Sequence, residues 1–204
     1  MTATEVLLPA PSDAWSMLAA WSAVVAAVFE QEDLRPEGPG VAHFADGGGS
    51  EFDLALLSGG RASIVGFDRE AGDTDLRGRD DLVAAGAPRW WFAALPEGAT
   101  APNFAYGFDG TSWSAVGHNP DLITKAHFTP GPATDPETAA GVLADVLSQA
   151  YEDNLDGDYP ADAEAVEALL AAGEHIDEGT LRRALGGDYG DIALGVATAA
   201  RFRR

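Results

Sequence analysis

Short glycine turns are the feature that most constrains the fold of this chain. In 51–67, a stretch of alternating apolar and polar residues at 51–56 and a largely apolar stretch at 62–67 are separated by little more than Ser58-Gly59-Gly60. In 103–117, two aromatic-rich stretches are separated by Asp109-Gly110, a pair that favours a two-residue type I′ turn. Turns this short cannot contain a crossover helix, so the strands that they join must be antiparallel. The middle of the chain is therefore predicted to fold as β-hairpins.

The second hairpin is predicted to carry an aromatic face. With a two-residue turn, Tyr106 lies opposite Trp113, and Phe104 and Phe108 share their side of the sheet. A cross-strand Tyr–Trp pair contributes roughly 0.2–1 kcal/mol to sheet stability. A further strand is expected at 122–128.

Helical spacing of apolar residues marks both ends of the chain. Trp15, Leu18 and Val25 recur at helical intervals after Ser12-Asp13, which has the chemistry of an N-cap. They predict an amphipathic helix of about 18 residues. A short helical turn is expected at 80–85. Helices are also expected in the C-terminal third, at about 136–151, 161–172 and 178–185, with a last one ending near Ala200.

Together these elements predict an α+β fold. It consists of a mainly antiparallel sheet of about six strands, covered by the N-terminal helix, with a C-terminal helical portion. Residues 1–11 are expected to be an extended lead-in, and 35–40 a loop. We predict a sheet domain at 1–130 and an acidic helical region at 131–204 that packs on the same core.

The chain is strongly acidic, and its acids are unevenly distributed. It has 33 Asp and Glu against 12 Lys and Arg, which gives a formal net charge of -21. From Glu152 to Glu178 there are ten acids and no lysine or arginine. Such a charge repels nucleic-acid phosphates and attracts basic proteins, so no direct nucleic-acid binding is expected. A general acidic surface, as in salt-adapted organisms, is the alternative explanation of the charge.

Composition excludes several further classes of protein. The chain has no cysteine, which excludes disulfides, cysteine-ligated zinc and thiol catalysis. The apolar segment 14–29 is preceded by Glu5 and by no lysine or arginine, unlike the positive start of a signal peptide. It contains no run of 18 apolar residues, so no membrane span is predicted. A cytoplasmic location is expected; no oligomeric state is predicted.

No motif identifies a catalytic residue, a cofactor or a metal. No histidines have zinc-ligand spacing, and no glycine loop has the pattern that cradles phosphates. One alternative remains open, a small-ligand binder or an unrecognised enzyme whose site lies on the aromatic face near 103–128. Its polar groups would converge beside that face. The candidate ligand-binding residues are Tyr106, Trp113, His118, Asp121 and His127.

A second alternative is a calcium-binding loop at 152–164. Alignment of Gly157 with the sixth position of an EF-hand loop puts Glu152 at the first position and Asp156 at the fifth. The twelfth position is then Ala163, where the loop needs a bidentate glutamate. The match therefore covers only half of the required ligands.

The sequence favours a non-enzymatic interaction protein. An inhibitor, an immunity protein or a nucleic-acid mimic uses an acidic surface of this kind to meet a basic partner, because complementary charge speeds encounter. Adjacent aromatics cannot all face one core, so at least one of Trp90, Trp91 and Phe92 is expected to point elsewhere. It either packs against a second element or lies exposed, and an exposed Trp90 or Trp91 would be a contact anchor. The acidic residues predicted to form the surface are Glu152, Asp153, Asp156, Asp158, Asp162 and Glu164.

Overall fold

The contacts between residues divide the chain into two units. The first, the sheet unit, comprises 1–11 and 36–130; the second, the helical unit, comprises 12–35 and 131–204. The computed structural model describes residues 3–29, 34–38, 40–45, 49–69, 75–95, 101–117, 136–155 and 162–204. At 34–38, 136, 138 and 153–155 it describes the backbone alone. The predicted strand at 122–128 lies outside these residues.

A single antiparallel sheet dominates the sheet unit. Its seven strands lie in the order β1-β7-β6-β5-β4-β3-β2. They are β1 (Thr4–Val6), β2 (Leu34–Gly38), β3 (Val41–Ala45), β4 (Glu51–Leu56), β5 (Ala62–Phe67), β6 (Phe104–Phe108) and β7 (Trp113–Val116). Each described register is antiparallel. The predicted α+β class, with a mainly antiparallel sheet of about six strands, is confirmed.

The two edge strands correct the sequence-based expectations for 1–11 and 35–40. Residues Thr4–Val6 pair with β7 instead of forming only a lead-in, and Leu34–Gly38 is a strand instead of a loop. β2 contains Pro36, which is tolerated because an edge strand can turn its missing N–H away from the ladder. Both strands gain their conformation from pairing, which a local hydrophobic pattern does not record.

The turn of the second hairpin is not the predicted two-residue turn. The side chain of Asp109 accepts hydrogen bonds from the backbone N–H groups of Thr111, at 2.8 Å, and Ser112, at 3.1 Å. This local capping holds 109–112 as a four-residue loop. The Thr111 hydroxyl, and then these backbone N–H groups, lower the pKa of the Asp109 carboxyl.

The longer loop changes the register of the hairpin but not its faces. Phe108 lies opposite Trp113, and Tyr106 lies opposite Ala115, so the predicted Tyr106–Trp113 pair is wrong. The register differs by two residues, and strand side chains alternate with a period of two. The aromatic side chains therefore remain on the predicted common face, where the rings of Phe108 and Trp113 are 5.4 Å apart.

The segment 75–95 packs on the other face of the sheet. It contains α2 (Arg79–Ala84) and a 3₁₀ turn at Arg89–Phe92. Together with residues of β5, β6 and β7 it forms an apolar cluster, because its buried side chains meet those that the strands direct to this face. The buried members are Val65, Leu76, Leu82, Ala85, Ala87, Trp91, Phe92, Ala105 and Val116.

The indole ring of Trp91 packs against β6 at Gly107, where the absence of a side chain leaves room for the ring. A Cβ atom at Gly107 would lie 1.8 Å from Nε1 of Trp91.

We expect Gly107→Ala to lower the free energy of unfolding by about 3 kcal/mol, at the upper end of overpacking costs, because a rigid ring meets a central strand. Urea denaturation of Gly107→Ala in the native and Trp91→Leu backgrounds tests this contact. A similar cost in both backgrounds would contradict it.

The described part of the helical unit contains five α-helices. They are α1 (Pro11–Phe29), α3 (Pro136–Leu155), α4 (Ala163–Ala172), α5 (Glu178–Ala184) and α6 (Ile192–Ala200), close to the predicted positions. Small residues let α1 and α6 approach closely. A Cβ atom at Gly195 would lie 2.6 Å from the carbonyl oxygen of Ala23 and 3.0 Å from Cβ of Ala27.

The chain end is anchored on α1. The indole N–H of Trp15 donates to the carbonyl oxygen of Phe202 at 2.9 Å, and the two rings meet edge to face with centres 5.2 Å apart. Phe202 is fully buried. The Arg204 guanidinium lies 5.8 Å from the centre of the Trp15 ring. Phe202 is therefore part of the core of the helical unit, whereas its neighbours Arg201 and Arg203 are exposed.

α1 meets the length and composition criteria for a membrane-spanning helix, and it is the only described helix that does so. No span was predicted from the sequence, because 14–29 contains no uninterrupted run of 18 apolar residues. In the structure, 67% of the relevant window is buried within the protein. Buried core helices and N-terminal signal sequences meet the same criteria.

Candidate functional site

The predicted acidic surface is described in part. Glu152 is exposed on α3, and Glu164 is exposed in the first turn of α4. Asp162 is exposed immediately before α4. The side chain of Asp153, together with Asp156 and Asp158, lies outside the described residues.

Several C-terminal acids cap helices. In each case a side-chain oxygen accepts a hydrogen bond from a backbone N–H in the first turn, which satisfies a donor that the helix leaves open. The pairs are Asp162 with Ala165 at 3.1 Å, Asp177 with Thr180 at 2.7 Å, and Asp191 with Leu194 at 2.9 Å. The backbone N–H of Thr180, and then its side chain, lower the pKa of Asp177. Asp162 therefore has a structural role in addition to its charge.

Other C-terminal acids are engaged by arginine. Arg182 on α5 lies 3.6 Å from Glu178, four residues earlier, and also bonds to Asp188 after the helix. The hydrogen bond that the Arg182 guanidinium donates to the Asp188 carboxylate is the first cause of the raised pKa of Arg182. Part of the acidic stretch is thus neutralised within the helical unit.

A groove bounded by α1, α3 and α4 offers a more specific candidate site. Its volume is about 740 Å³, within the usual size of ligand sites. All of its described lining residues belong to the helical unit. They are Asp13, Ser16 and Met17 from α1, Glu137 and Ala140 from α3, and Glu167, Leu170 and Ala171 from α4.

The groove combines exposed carboxylates with a buried apolar floor. Asp13, Glu137 and Glu167 are exposed, whereas Met17 and Leu170 are only 3% and 6% exposed. No lysine or arginine occurs among the described lining residues. In the described part of the chain, no ion pair joins these three carboxylates to a cation. Such a groove suits a cationic group carried on an aliphatic stem, which is the chemistry of lysine and arginine side chains.

The hydroxyl group of Ser16 lies in the groove because α1 closely approaches the end of α4. The hydroxyl of Ser16 donates to a carboxylate oxygen of Glu174 at 3.0 Å. Gly173 has φ of +53°, and a Cβ atom there would lie 2.6 Å from Cβ of Ser16. The glycine therefore permits the approach, and the Ser16 hydroxyl is held by a neighbour.

The groove acids could not be recognised as a group from the sequence, because Asp13 and Glu137 each have a local explanation and Glu167 is one of many acids in 152–178. Asp13 was assigned to an N-cap, but α1 begins at Pro11, which places Asp13 in the first turn. Glu137 lies in the first turn of α3. Acidic residues are common there because the helix dipole stabilises them. Only the arrangement of the three helices brings Asp13, Glu137 and Glu167 to one groove.

The two candidate aromatic anchors differ in exposure. Trp91 is 2% exposed and belongs to the sheet core. Trp90 is half-buried, with the guanidinium of Arg61 5.1 Å from its ring centre. Among the described residues, the indole N–H of Trp91 is a buried donor with no hydrogen-bond acceptor. Trp90 is thus the member of the pair that remains accessible.

The aromatic members of the alternative ligand site are packed in the core. Tyr106 and Trp113 are 0% and 2% exposed, and the Trp113 indole donates to the carbonyl oxygen of Pro9 at 2.8 Å. Burial, and then the nearby charge of Asp68, raise the pKa of Tyr106 well above its ordinary value. Its polar members, His118, Asp121 and His127, lie outside the described residues, so this alternative stays a hypothesis.

The structure places one histidine–carboxylate pair in the sheet. Nδ1 of His43 lies 2.9 Å from Oδ1 of Asp53, its cross-strand neighbour. Within the described segments, no group of three or more His, Asp or Glu side chains is arranged to hold a metal ion. The calcium alternative also stays a hypothesis, because 156–161 lies outside those segments.

Known proteins offer no family for this chain. No family model matches it, and no curated protein or solved structure matches it significantly. The function must therefore be inferred from the chemistry of the groove. Its carboxylates can attract a cation, and its floor can exclude water from an aliphatic stem.

Proposed function

We propose that this protein is a non-enzymatic interaction module that binds a basic protein. The observation that carries the proposal is the groove between α1, α3 and α4. Asp13, Glu137 and Glu167 surround it, and no lysine or arginine is described in its lining. Carboxylates placed in this way can be neutralised by a partner, and this is the arrangement that inhibitors and immunity proteins use against basic targets.

The net charge and the groove have different roles in this proposal. A charge of -21 attracts cationic proteins from a distance and raises the rate of encounter. At physiological ionic strength the Debye length is about 8 Å, so distant charges contribute little to the bound state. Affinity at that salt concentration must come from nearby groups, and the groove provides three carboxylates together with Met17 and Leu170.

The groove supports binding better than catalysis. Its described polar groups are three carboxylates and the Ser16 hydroxyl, which already donates to Glu174. A nucleophilic serine needs a general base to accept its proton, and no histidine is found in the described lining. Exposed carboxylates beside aliphatic side chains are sufficient for recognition of lysine or arginine.

Neutralising the groove should abolish partner binding, whereas removing equal charge elsewhere should not. The groove variant is Asp13→Asn/Glu137→Gln/Glu167→Gln. The control is Glu5→Gln/Asp80→Asn/Asp145→Asn, which removes three exposed carboxylates outside the described lining. We expect affinity for the partner to fall about tenfold or more in the groove variant, since three modest charge contacts are lost together. The control should change it less than about twofold.

The measurement has two stages. Affinity capture from the native host at about 50 and 150 mM salt identifies basic proteins that the wild-type protein retains. Titration calorimetry with the purified partner then compares wild type, groove variant and control. Equal losses in the two variants would show that overall charge alone acts. Failure to retain any basic protein at either salt concentration would remove the basis of the proposal.

A further inference from the structure

The three helices that form the groove present the same short pattern. α1 contributes Asp13 and Met17, four residues apart; α3 contributes Glu137 and Ala140, three apart. On α4, Glu167 precedes Leu170 by three residues. Residues at these spacings are neighbours on a helix surface, about one 5.4 Å turn apart. Each wall of the groove therefore offers a carboxylate one turn away from an apolar surface.

We infer that the groove receives a short basic amphipathic helix of the partner, with its apolar side chains on the floor and its lysines or arginines at the rim. The inference rests on the proposed function. A helix with lysine or arginine one turn from leucine repeats the spacing of the groove walls with the opposite charge. Met17 gives the floor an adaptable side chain, and Ala140 and Ala171 leave room for larger ones.

Other occupants fit these observations less well. A second copy of this chain carries the same net charge of -21 and would be repelled. Anionic membranes and nucleic acids are repelled for the same reason. A volume of about 740 Å³ exceeds what one lysine side chain needs, so several side chains of one segment are the matching occupant.

Two peptides of identical composition separate amphipathic recognition from charge alone. One 14-residue peptide of leucine, lysine and alanine carries leucine at i, i+3, i+4 and i+7; the other has the same residues in scrambled order. Binding of each is measured by fluorescence anisotropy with an uncharged dye at 150 mM salt. We expect the amphipathic peptide to bind the wild-type protein at least about tenfold more tightly than the scrambled one.

A bulky, uncharged substitution in the groove tests whether the amphipathic peptide binds there. Ala171→Trp fills the groove from an exposed position on α4, and Ala168→Trp places the same side chain at another exposed position on α4, outside the described lining. Ala171→Trp should weaken binding of the amphipathic peptide about tenfold and leave the scrambled peptide unaffected. Ala168→Trp should change neither. Thermal denaturation establishes that both variants are folded.

Binding of the peptide at the groove can also be observed directly in the wild-type protein. The chain has two methionines, Met1 and Met17, so methyl labelling of methionine gives a signal from the groove floor. Addition of the amphipathic peptide should shift the Met17 signal. An unshifted signal at saturation would overturn the inference. Equal binding of both peptides, unaffected by Ala171→Trp, would also overturn it while leaving the proposed function in place. If neither peptide binds at 150 mM salt, the inference fails, and capture of basic proteins from the native host decides the proposed function separately.

Discussion

Gly173→Ala is expected to lower the free energy of unfolding by about 3 kcal/mol, through backbone strain and overpacking together. Gly173 ends α4 with φ of +53° and ψ of -124°, a conformation that residues with a Cβ atom avoid. The added methyl group would also lie 2.6 Å from Cβ of Ser16 on α1. The two helices must then move apart where Ser16 lines the groove. Urea denaturation measures the loss of stability.

Gly141→Ala provides the matched control. Gly141 lies inside α3, and no atom lies within 4 Å of the position of an added Cβ. Alanine there should stabilise the protein by about 0.5–1 kcal/mol, because glycine is a poor helix former. Gly173→Ala should in addition weaken binding of the amphipathic peptide, whereas Gly141→Ala should not. Wild-type stability in Gly173→Ala would contradict the close approach of α1 and α4.

Phe202→Ala is expected to cost about 3–5 kcal/mol, the usual loss for a fully buried phenylalanine. Its ring is fully buried and meets the Trp15 ring edge to face. Removing the ring leaves a cavity beside α1, although the backbone carbonyl that accepts the Trp15 indole N–H remains.

Thermal and urea denaturation of Phe202→Ala test this anchor, with Arg203→Ala as the control. Arg203 is exposed, so its loss should cost about 1 kcal/mol or less, even though its side chain donates to the carbonyl of Glu174. Intrinsic fluorescence, to which Trp15 and four other tryptophans contribute, should change in Phe202→Ala and stay nearly constant in Arg203→Ala. Similar stabilities for the two variants would show that residue 202 is not part of the core.

The helices and hairpins could be predicted because their patterns are local. The helical spacing of apolar residues in α1 and the short glycine turn in 51–67 each lie within a few residues of the chain. They identified the elements but not the buried faces, because α1 is buried around most of its circumference and β4 and β5 are buried on both faces. The edge strands β1 and β2 have no such local pattern, because their conformation comes from pairing with a neighbouring strand. Their prediction would have required knowledge of the rest of the sheet.

The second hairpin shows which part of a turn can be predicted. The glycine after Asp109 indicated a turn, but the Asp109 side chain caps two backbone N–H groups and lengthens the loop. Loop length then decided the register, and Phe108 instead of Tyr106 faces Trp113. The aromatic face was still predicted correctly, because a shift of two residues preserves the alternation of side chains.

The different burial of Trp90 and Trp91 is decided by tertiary packing. The sequence indicated only that Trp90, Trp91 and Phe92 cannot all face one core. The 3₁₀ turn buries Trp91 against Gly107 and leaves Trp90 half-buried beneath Arg61. Which of the two is buried depends on how 75–95 crosses the sheet, and no short pattern contains that information.

By itself, the sequence determined the fold class, most helix positions and the excess of negative charge, because periodicity and composition are properties of neighbouring residues. The tertiary structure decided what individual acids do. Asp162 caps a helix, Glu178 pairs with Arg182, and Asp13 lines a groove with Glu137 and Glu167. Those groove residues come from three separate helices, and only the packing of the helices brings their charges together. The proposed binding site is therefore a property of distances across the fold.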